Sequence, residues 1–241
     1  MFKGETKVNI DVAKGNVAED ISNVSVKRYT EVLVDKKIYT ITKRIIDIIG
    51  AIVGILFLIP IAIGVYIAKI ILKDKGPIIY THNRIGKDGK IFKMYKFRSM
   101  VVGADEILEK YLEENEEAKE EYRINKKLKE DPRITPIGKF IRKTSIDEFP
   151  QFLNVLKGEM SLVGPRPYLE RELEDIGDYY PYIVAVKPGI TGLWQVSGRN
   201  DVTFEERLEL DKEYHEKRNM KIDLKILFKT VLKVFDKEGA I

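Results

Sequence analysis

Residues 48–68 read IIGAIVGILFLIPIAIGVYIA, an apolar run without a single charge and with Pro60 near its centre. The run is long enough to cross the hydrocarbon core of a bilayer, which takes roughly 20 apolar residues. Pro60 lacks the amide that would bond to the carbonyl of Leu56, and its ring crowds that turn. Basic residues stand on both sides: Lys36, Lys37, Lys43 and Arg44 before the run, Lys69, Lys73 and Lys75 after it. A simple span usually carries its lysine and arginine excess toward one side. Balanced flanks around a central proline fit a helix that enters the membrane, bends and leaves on the same face. A proline-kinked helix that crosses the bilayer fits the same residues.

The chain has 241 residues, 33% of them charged, and a net charge of +4. That is enough for one globular domain plus a membrane element. A mildly basic protein with a membrane segment suits an anionic lipid surface and phosphate-bearing substrates. No nucleic-acid motif is present. Cysteine is absent, which excludes disulfides and thiolate metal sites. His82 and His215 are far apart in sequence and form no zinc signature. The polar, mixed-charge start of the chain does not read as a signal peptide.

Three parts follow: an extension over residues 1–38, the membrane helix over 39–75 and a catalytic domain over 76–241. Within the extension, residues 24–34 show partial strand-like alternation. Residues 77–100 read as a β-hairpin turning at Gly86-Lys87-Asp88-Gly89. The charged stretch 103–131 reads as a solvated helix or loop. Short helices are expected over 134–143 and 147–156, a loop region punctuated by proline and glycine over 179–198, and a charged helix over 204–219. In 222–235, Leu224, Leu227, Phe228, Val231 and Phe235 recur at helical spacing, with Lys225, Lys229 and Lys233 on another stripe. This fits either a helix lying in the membrane interface or a core helix with solvated lysines. The fold class expected is α+β, mostly helical: a re-entrant membrane helix, a short hairpin and amphipathic interfacial helices around a cytosolic catalytic domain.

The chemistry concentrates in residues 142–167, RKTSIDEFPQFLNVLKGEMSLVGPRP. Asp147 and Glu148 adjoin a helix start. Ser145 with Glu148 could form a capping box, but Pro150 then falls where an amide is wanted; with Asp147 as cap it does not. A carboxylate pair at the positive end of a helix has lowered pKa values and attracts phosphate. Two such carboxylates also suit magnesium (Mg2+), which prefers oxygen ligands and substrate phosphates. In Gly164-Pro165-Arg166-Pro167, two prolines stiffen a loop around a guanidinium that can clamp phosphate oxygens, or be an ordinary solvated turn. Arg142 could serve the same anion, and Arg84 and Lys96 sit on opposite arms of the hairpin. The stretch PGITGLWQVSGR holds the only tryptophan, Trp194, and Arg199. Its glycines allow close backbone approach to a ligand. A base stacked on Trp194 with Arg199 on a phosphate is one reading, and a buried structural tryptophan is the other.

Taken together, these motifs resemble the bacterial sugar transferase family, the monotopic polyprenyl-phosphate phosphoglycosyl transferases that start glycan assembly. The resemblance runs from about Lys43 to the C-terminus. It rests on the proline-centred helix, Lys96-Phe97-Arg98-Ser99-Met100, the Asp147-Glu148 pair, GPRP and PGITGLWQVSGR in family order; Ile59 stands where small members often have serine. It implies a two-step transfer. Asp147 attacks the β-phosphate of a UDP-sugar, releases UMP and holds the sugar phosphate. A polyprenol phosphate such as undecaprenyl phosphate then takes it. By family match Arg84, Lys96, Arg142, Glu148, Arg166 and Asp223 are expected in or around the active site, with magnesium on Asp147 and Glu148. The expected partners are the UDP-sugar, the polyprenyl phosphate and the lipid bilayer, with no nucleic acid and a homodimer left open. The expected place is the cytoplasmic face of the bacterial inner membrane. Two rival readings are a membrane phosphohydrolase with an aspartyl nucleophile and a non-enzymatic membrane adaptor.

Overall fold

The structure is a computed structural model that describes residues 37–198 and 202–235. The strand-like reading of residues 24–34 and the basic Lys36 fall outside those residues, as does Arg199. The apolar run forms one helix, α1 (Lys37–Ile71), of 35 residues, with Pro60 inside it. In an apolar medium a helix satisfies its own backbone polar groups, so a run rich in isoleucine is helical there in spite of its β-branched side chains. Only 17% of its most apolar window is buried. A helix in the core of a soluble domain would be mostly buried, so this low burial supports membrane association. Its bare face includes Ile45, Ile49, Leu56, Phe57 and Ile63.

The opposite stripe of α1, Asp47, Ala51, Gly54, Val65 and Lys69, is buried against the rest of the chain. Its partners are α5 (Gln151–Lys157) and β3 (Ser161–Val163). The ring of Phe152 lies so close to Gly54 that a Cβ there would stand 2.4 Å from it. Polar contacts hold both ends. At the first end, Asp47 Oδ1 accepts from Ser161 Oγ and Leu162 N at 2.9 and 2.8 Å. Arg44 donates to the carbonyls of Val155 and Leu156, the open C-terminal end of α5, at 2.7 and 2.9 Å. Lys43 meets Asp223 at 2.7 Å. At the far end Lys69 pairs with Asp74 at 2.8 Å, and the buried Arg98 reaches Asp74 at 2.6 Å. Arg98 also donates to the carbonyls of Lys75, Pro77 and Met100, which ties the exit of α1 to both arms of the hairpin.

The hairpin is as expected: β1 (Ile79–Ile85) pairs antiparallel with β2 (Ile91–Phe97), with Tyr80 opposite Lys96 and Arg84 opposite Phe92. Residues 103–131 are more structured than their charge suggests. α2 (Ala104–Glu114) and α3 (Glu116–Asn125) close over a small apolar cluster of Leu108, Ala118 and Leu128. α4 (Pro136–Lys143) begins on Thr135, whose side chain accepts from Gly138 N at 3.0 Å.

The stretch 179–198 is not a plain loop. It contains α7 (Tyr180–Val184), β4 (Gly189–Thr191) and α8 (Leu193–Ser197), after a short α6 (Leu173–Ile176). β4 pairs parallel with β3, Ser161 against Gly189 and Val163 against Thr191. A Cβ on Gly189 would lie 2.1 Å from Gly164 N, and one on Gly192 2.3 Å from Gly164 O. These two glycines therefore serve the approach of one backbone to another and fasten the PGITG strand to the GPRP loop. The long separation in sequence hides this pairing from any local pattern.

α9 (Phe204–Lys217) and α10 (Met220–Phe235) complete the chain. The main core gathers Met94, Val155, Met160, Val163, Tyr214 and Ile226. α10 buries Asp223 and Ile226 but leaves Leu224, Phe228, Val231 and Leu232 bare. Those four side chains face away from the domain, while Leu227 of the same stripe packs against the main core.

Gly54 and Gly64 give a paired test of the α1 packing. Gly54→Val should cost about 1–3 kcal/mol, the usual result of forcing atoms into a packed contact. A Cβ on Gly64 would meet nothing within 4 Å, so Gly64→Ala should leave stability unchanged or raise it by about 0.5–1 kcal/mol. Thermal unfolding of both variants in the same lipid nanodiscs decides it. Equal effects would mean that α1 does not pack through Gly54.

Candidate active site

Between α4 and α5 the chain turns sharply. Ser145 takes the left-handed conformation at φ 55, and Ile146–Glu148 follow as a single 3-10 turn. The N-cap position of α5 is Pro150, so neither Ser145 nor Asp147 caps a helix as the spacing suggests. The left-handed step at Ser145 is the reason: it ends α4 and redirects the backbone before α5 can begin. The two acids are presented by this turn, packed between α4 and β2.

The two carboxyls differ. Asp147 is 7% exposed, whereas the Glu148 side chain is 37% exposed. Lys96, from β2, reaches both: its Nζ stands 2.8 Å from Glu148 Oε1 and 3.8 Å from Asp147 Oδ2. Burial pushes the Asp147 carboxyl up to about 6, against the opposing pull of Lys96 and Arg142 and with the help of the neighbouring Glu148 charge. The lowering expected of a helix N-terminus is not what governs this acid. Arg142, on α4, faces the same carboxyl; its Nε donates to Ser99 Oγ at 2.8 Å, and burial draws its pKa down.

A second group of charges lies along the same hairpin face. Arg84 is four register positions from the Tyr80–Lys96 pair, which is roughly 13 Å along a strand. Arg84 and Lys96 therefore share a face without touching. Arg84 donates to the Pro167 carbonyl at 3.1 Å, and its Nε is buried with no hydrogen-bond partner among the described residues. Burial first, and then the charge of Arg166, lower its pKa to about 10. Arg166 pairs only loosely with Glu172, at 3.4 Å. Two guanidiniums that press on each other with one loosely held acid between them suit an anionic ligand.

Asp211 on α9 positions this loop. Its Oδ2 accepts from Arg166 N at 3.1 Å and from Tyr168 OH at 2.8 Å, while burial pushes its pKa up to about 7. Asp211 is absent from the residues singled out by motif. The signal was present: Phe204, Leu208, Asp211 and His215 fall on one helical stripe, all buried, so an acid occupies a core position. Arg207, one turn earlier, covers the Trp194 ring at 5.2 Å from its centroid. The indole Nε1 of Trp194 is buried without a partner among the described residues. A guanidinium thus already lies over the ring that one of the two sequence readings offered to a base.

Among the described residues Asp223 makes no hydrogen bond or ion pair with either group. It meets Lys43, accepts from Tyr39 OH at 2.9 Å and from Tyr214 OH at 2.8 Å, and so joins α10 to the start of α1. The site residues therefore divide into the Asp147 group (Glu148, Lys96 and Arg142), the Arg84–Arg166 group and a structural junction at Asp223. No cluster of three or more potential metal-ligating side chains occurs among the described residues. The pair Asp147–Glu148 still matches the donor set that magnesium takes, one or two carboxylates plus phosphate oxygens from a substrate.

The sequence model of the family described as Bacterial sugar transferase matches residues 38–237. The chain belongs to that family. It is 48% identical over 198 residues to an undecaprenyl-phosphate galactose phosphotransferase of Salmonella typhimurium, a match that covers 82% of this chain and 41% of that protein. It is 43% identical over 191 residues to the exopolysaccharide production protein ExoY of Sinorhizobium fredii, covering 79% of this chain and 84% of that protein. A UDP-glucose:undecaprenyl-phosphate glucose-1-phosphate transferase of Escherichia coli is 37% identical over 206 residues, covering 82% of this chain. The chain spans only about two fifths of the Salmonella and Escherichia relatives, 41% of each.

The electrostatics of Asp147 can be checked directly. Lys96→Met removes the largest charge that favours the ionised form, so the Asp147 midpoint should rise above about 6. Glu148→Gln removes a charge that opposes ionisation, so the midpoint should fall. Carboxyl carbon-13 titration of the full chain in nanodiscs measures both. Two shifts in the same direction would contradict this arrangement.

Proposed function

We propose that the chain is a monotopic polyprenyl-phosphate phosphoglycosyl transferase that moves a sugar phosphate from a UDP-sugar to a polyprenol phosphate. The single observation that carries the proposal is Asp147: a buried carboxyl facing Lys96 and Arg142 on a domain that rests against an exposed apolar helix. The names of the relatives point the same way, to undecaprenyl phosphate as acceptor and to galactose or glucose as the sugar.

In the first step an Asp147 oxygen bonds to the β-phosphorus, the bond from that phosphorus to the bridging oxygen breaks, and UMP departs with the electron pair. In the second step an oxygen of the polyprenol phosphate bonds to the same phosphorus, and the Asp147 carboxylate leaves. A carboxylate nucleophile divides one hard transfer into two easier ones. Lys96 and Arg142 offset the charge that builds on the phosphoryl oxygens. Arg84 and Arg166, farther along the hairpin face, would hold the rest of the donor, which is long enough to bridge the two groups. Asp147 and Glu148 would hold magnesium, which supplies further neutralisation of phosphate charge when bound.

The second substrate is a lipid, so its phosphate lies at headgroup level. α1 has polar anchors at residues 43–47 and again at 69–74, all on the same domain. From Lys43 to Lys69 a helix advances about 39 Å, more than the ~30 Å of a hydrocarbon core. A straight crossing would put these anchors in water on opposite sides of the bilayer. A re-entrant path bent at Pro60 keeps the domain on one side, the cytoplasmic face of the inner membrane, where nucleotide sugars are made.

Release of UMP from a panel of UDP-sugars, with undecaprenyl phosphate and magnesium in nanodiscs, tests the proposal. Wild type should turn over with at least one sugar, lose activity as pH falls below about 6 because Asp147 must be ionised to attack, and stop when magnesium is chelated. Asp147→Asn should be inactive, since the amide is a very poor nucleophile. Normal turnover by Asp147→Asn would overturn the mechanism. Free sugar phosphate made without any lipid acceptor would point to a hydrolase.

A further inference from the structure

A cavity of about 180 Å³ opens beside the first turns of α1, bounded by that helix, the hairpin turn, β3 and the segment before β4. This is several times the ~30 Å³ that one water occupies in the liquid. Five cations line it: Lys43, Arg44, Lys87, Lys187 and Arg218. The one acid on its wall, Asp47, already accepts two hydrogen bonds from β3 through Oδ1. Lys43 is matched by Asp223, and Arg44 is bound only to neutral carbonyls. Among the described residues Lys87 and Lys187 form no ion pair, and the charge of Asp47 only partly offsets the cations around Lys187. Lys187 Nζ and Arg44 Nη2 converge, at 3.4 and 3.5 Å from the point where a Cβ on Gly158 would stand. Burial and the charges of Arg44 and Lys87 draw the Lys187 pKa down.

Like charges held together in a partly buried cavity disfavour one another's charged forms, and an opposite charge placed among them relieves this. We propose that this cavity is a second anion site, which binds a phosphate group by charge-assisted hydrogen bonds from Lys187, Lys87 and Arg44. It is separate from the Asp147 site. Lys87 lies in the turn beyond Ile85, the end of β1, which is five register positions from Tyr80, the partner of Lys96, or roughly 16 Å along the strand. The cavity adjoins the exposed Ile41 and Ile45 of α1, which places it where the apolar helix meets the headgroups. The phosphate can thus come from an anionic membrane lipid or from a soluble phosphate compound.

The test uses the full chain in nanodiscs and reads its unfolding midpoint. One arm adds inorganic pyrophosphate to phosphatidylcholine discs, and the other replaces part of the phosphatidylcholine by phosphatidylglycerol. Wild type should unfold at a higher temperature in at least one arm. A rise only with phosphatidylglycerol identifies a lipid headgroup, and a rise with pyrophosphate identifies a soluble phosphate. The double variant Lys87→Gln/Lys187→Gln should lose most of the rise and, without ligand, be no less stable than wild type. A control with the same change of charge, Lys110→Gln/Lys119→Gln on the distant α2 and α3, should keep it. Asp147→Asn should keep it too, so that the site stands or falls apart from the transferase reaction. No rise in wild type, a rise retained by the double variant, or an equal loss in the control would each overturn the proposal.

Discussion

The structure depends on one stripe of α1. A helix this apolar would by itself bury every face in lipid, yet Asp47, Gly54, Val65 and Lys69 commit one face to a polar domain. Gly54 admits the Phe152 ring, and Asp47 satisfies a hydroxyl and an amide of β3. A buried amide left without its acceptor costs about 1–3 kcal/mol, so these contacts fix the helix in register with α5 and β3. The turn that carries Asp147 runs directly into α5, and Phe149 packs in the same apolar cluster as Val65. The membrane element therefore positions the candidate nucleophile through two or three packed side chains.

The second determinant is the balance at Asp147. A rise from 3.8 to about 6 corresponds to about 3 kcal/mol in favour of the protonated form. A lysine at about 4 Å is worth roughly 4 kcal/mol in the other direction at an effective dielectric near 20. Burial thus outweighs a substantial attraction, and the acid is left ionised near neutral pH but poorly solvated. A carboxylate in that condition is more nucleophilic than one in water, and the cations that restrain it are those that would meet the phosphoryl oxygens. Glu148, more exposed, holds the same Lys96 Nζ at 2.8 Å against 3.8 Å for Asp147, so it takes the nearer share of that charge and adds to the rise at Asp147.

Much of this was legible in the sequence because it is local. The long apolar helix, the hairpin about Gly86 and Gly89, and the helical spacing of α10 each follow from a periodicity or a turn signal, though the spacing alone did not say which way the apolar stripe of α10 faces. Asp147, Glu148, Lys96 and Arg142 were singled out and do converge. What could not be read depends on contacts across the chain. The β3–β4 pairing joins Ser161 to Gly189, so the glycines of PGITG looked free for a ligand when they are occupied by Gly164. The helical stripe of Phe204, Leu208 and His215 marks Asp211 as a core position, but its bonds to Arg166 and Tyr168 are contacts across the chain. Asp223, expected in or around the active site from the family resemblance, also ties α10 to α1, a contact no local pattern gives. The helix cap on Asp147 failed because nothing in the sequence marks Ser145 for a left-handed conformation.

The proposed transfer to a lipid phosphate, by a domain held at both ends of α1, calls for those ends to lie on one side of the bilayer. Lys37 and Lys75 are exposed at the two ends, and the chain has no cysteine of its own. Single cysteines at these positions can be probed in intact cells with a thiol reagent that does not cross membranes, and again after permeabilisation. The re-entrant path predicts that neither cysteine reacts in intact cells and that both react once the membrane is opened. Labelling of one end alone in intact cells would show that α1 spans the bilayer and would contradict the re-entrant path.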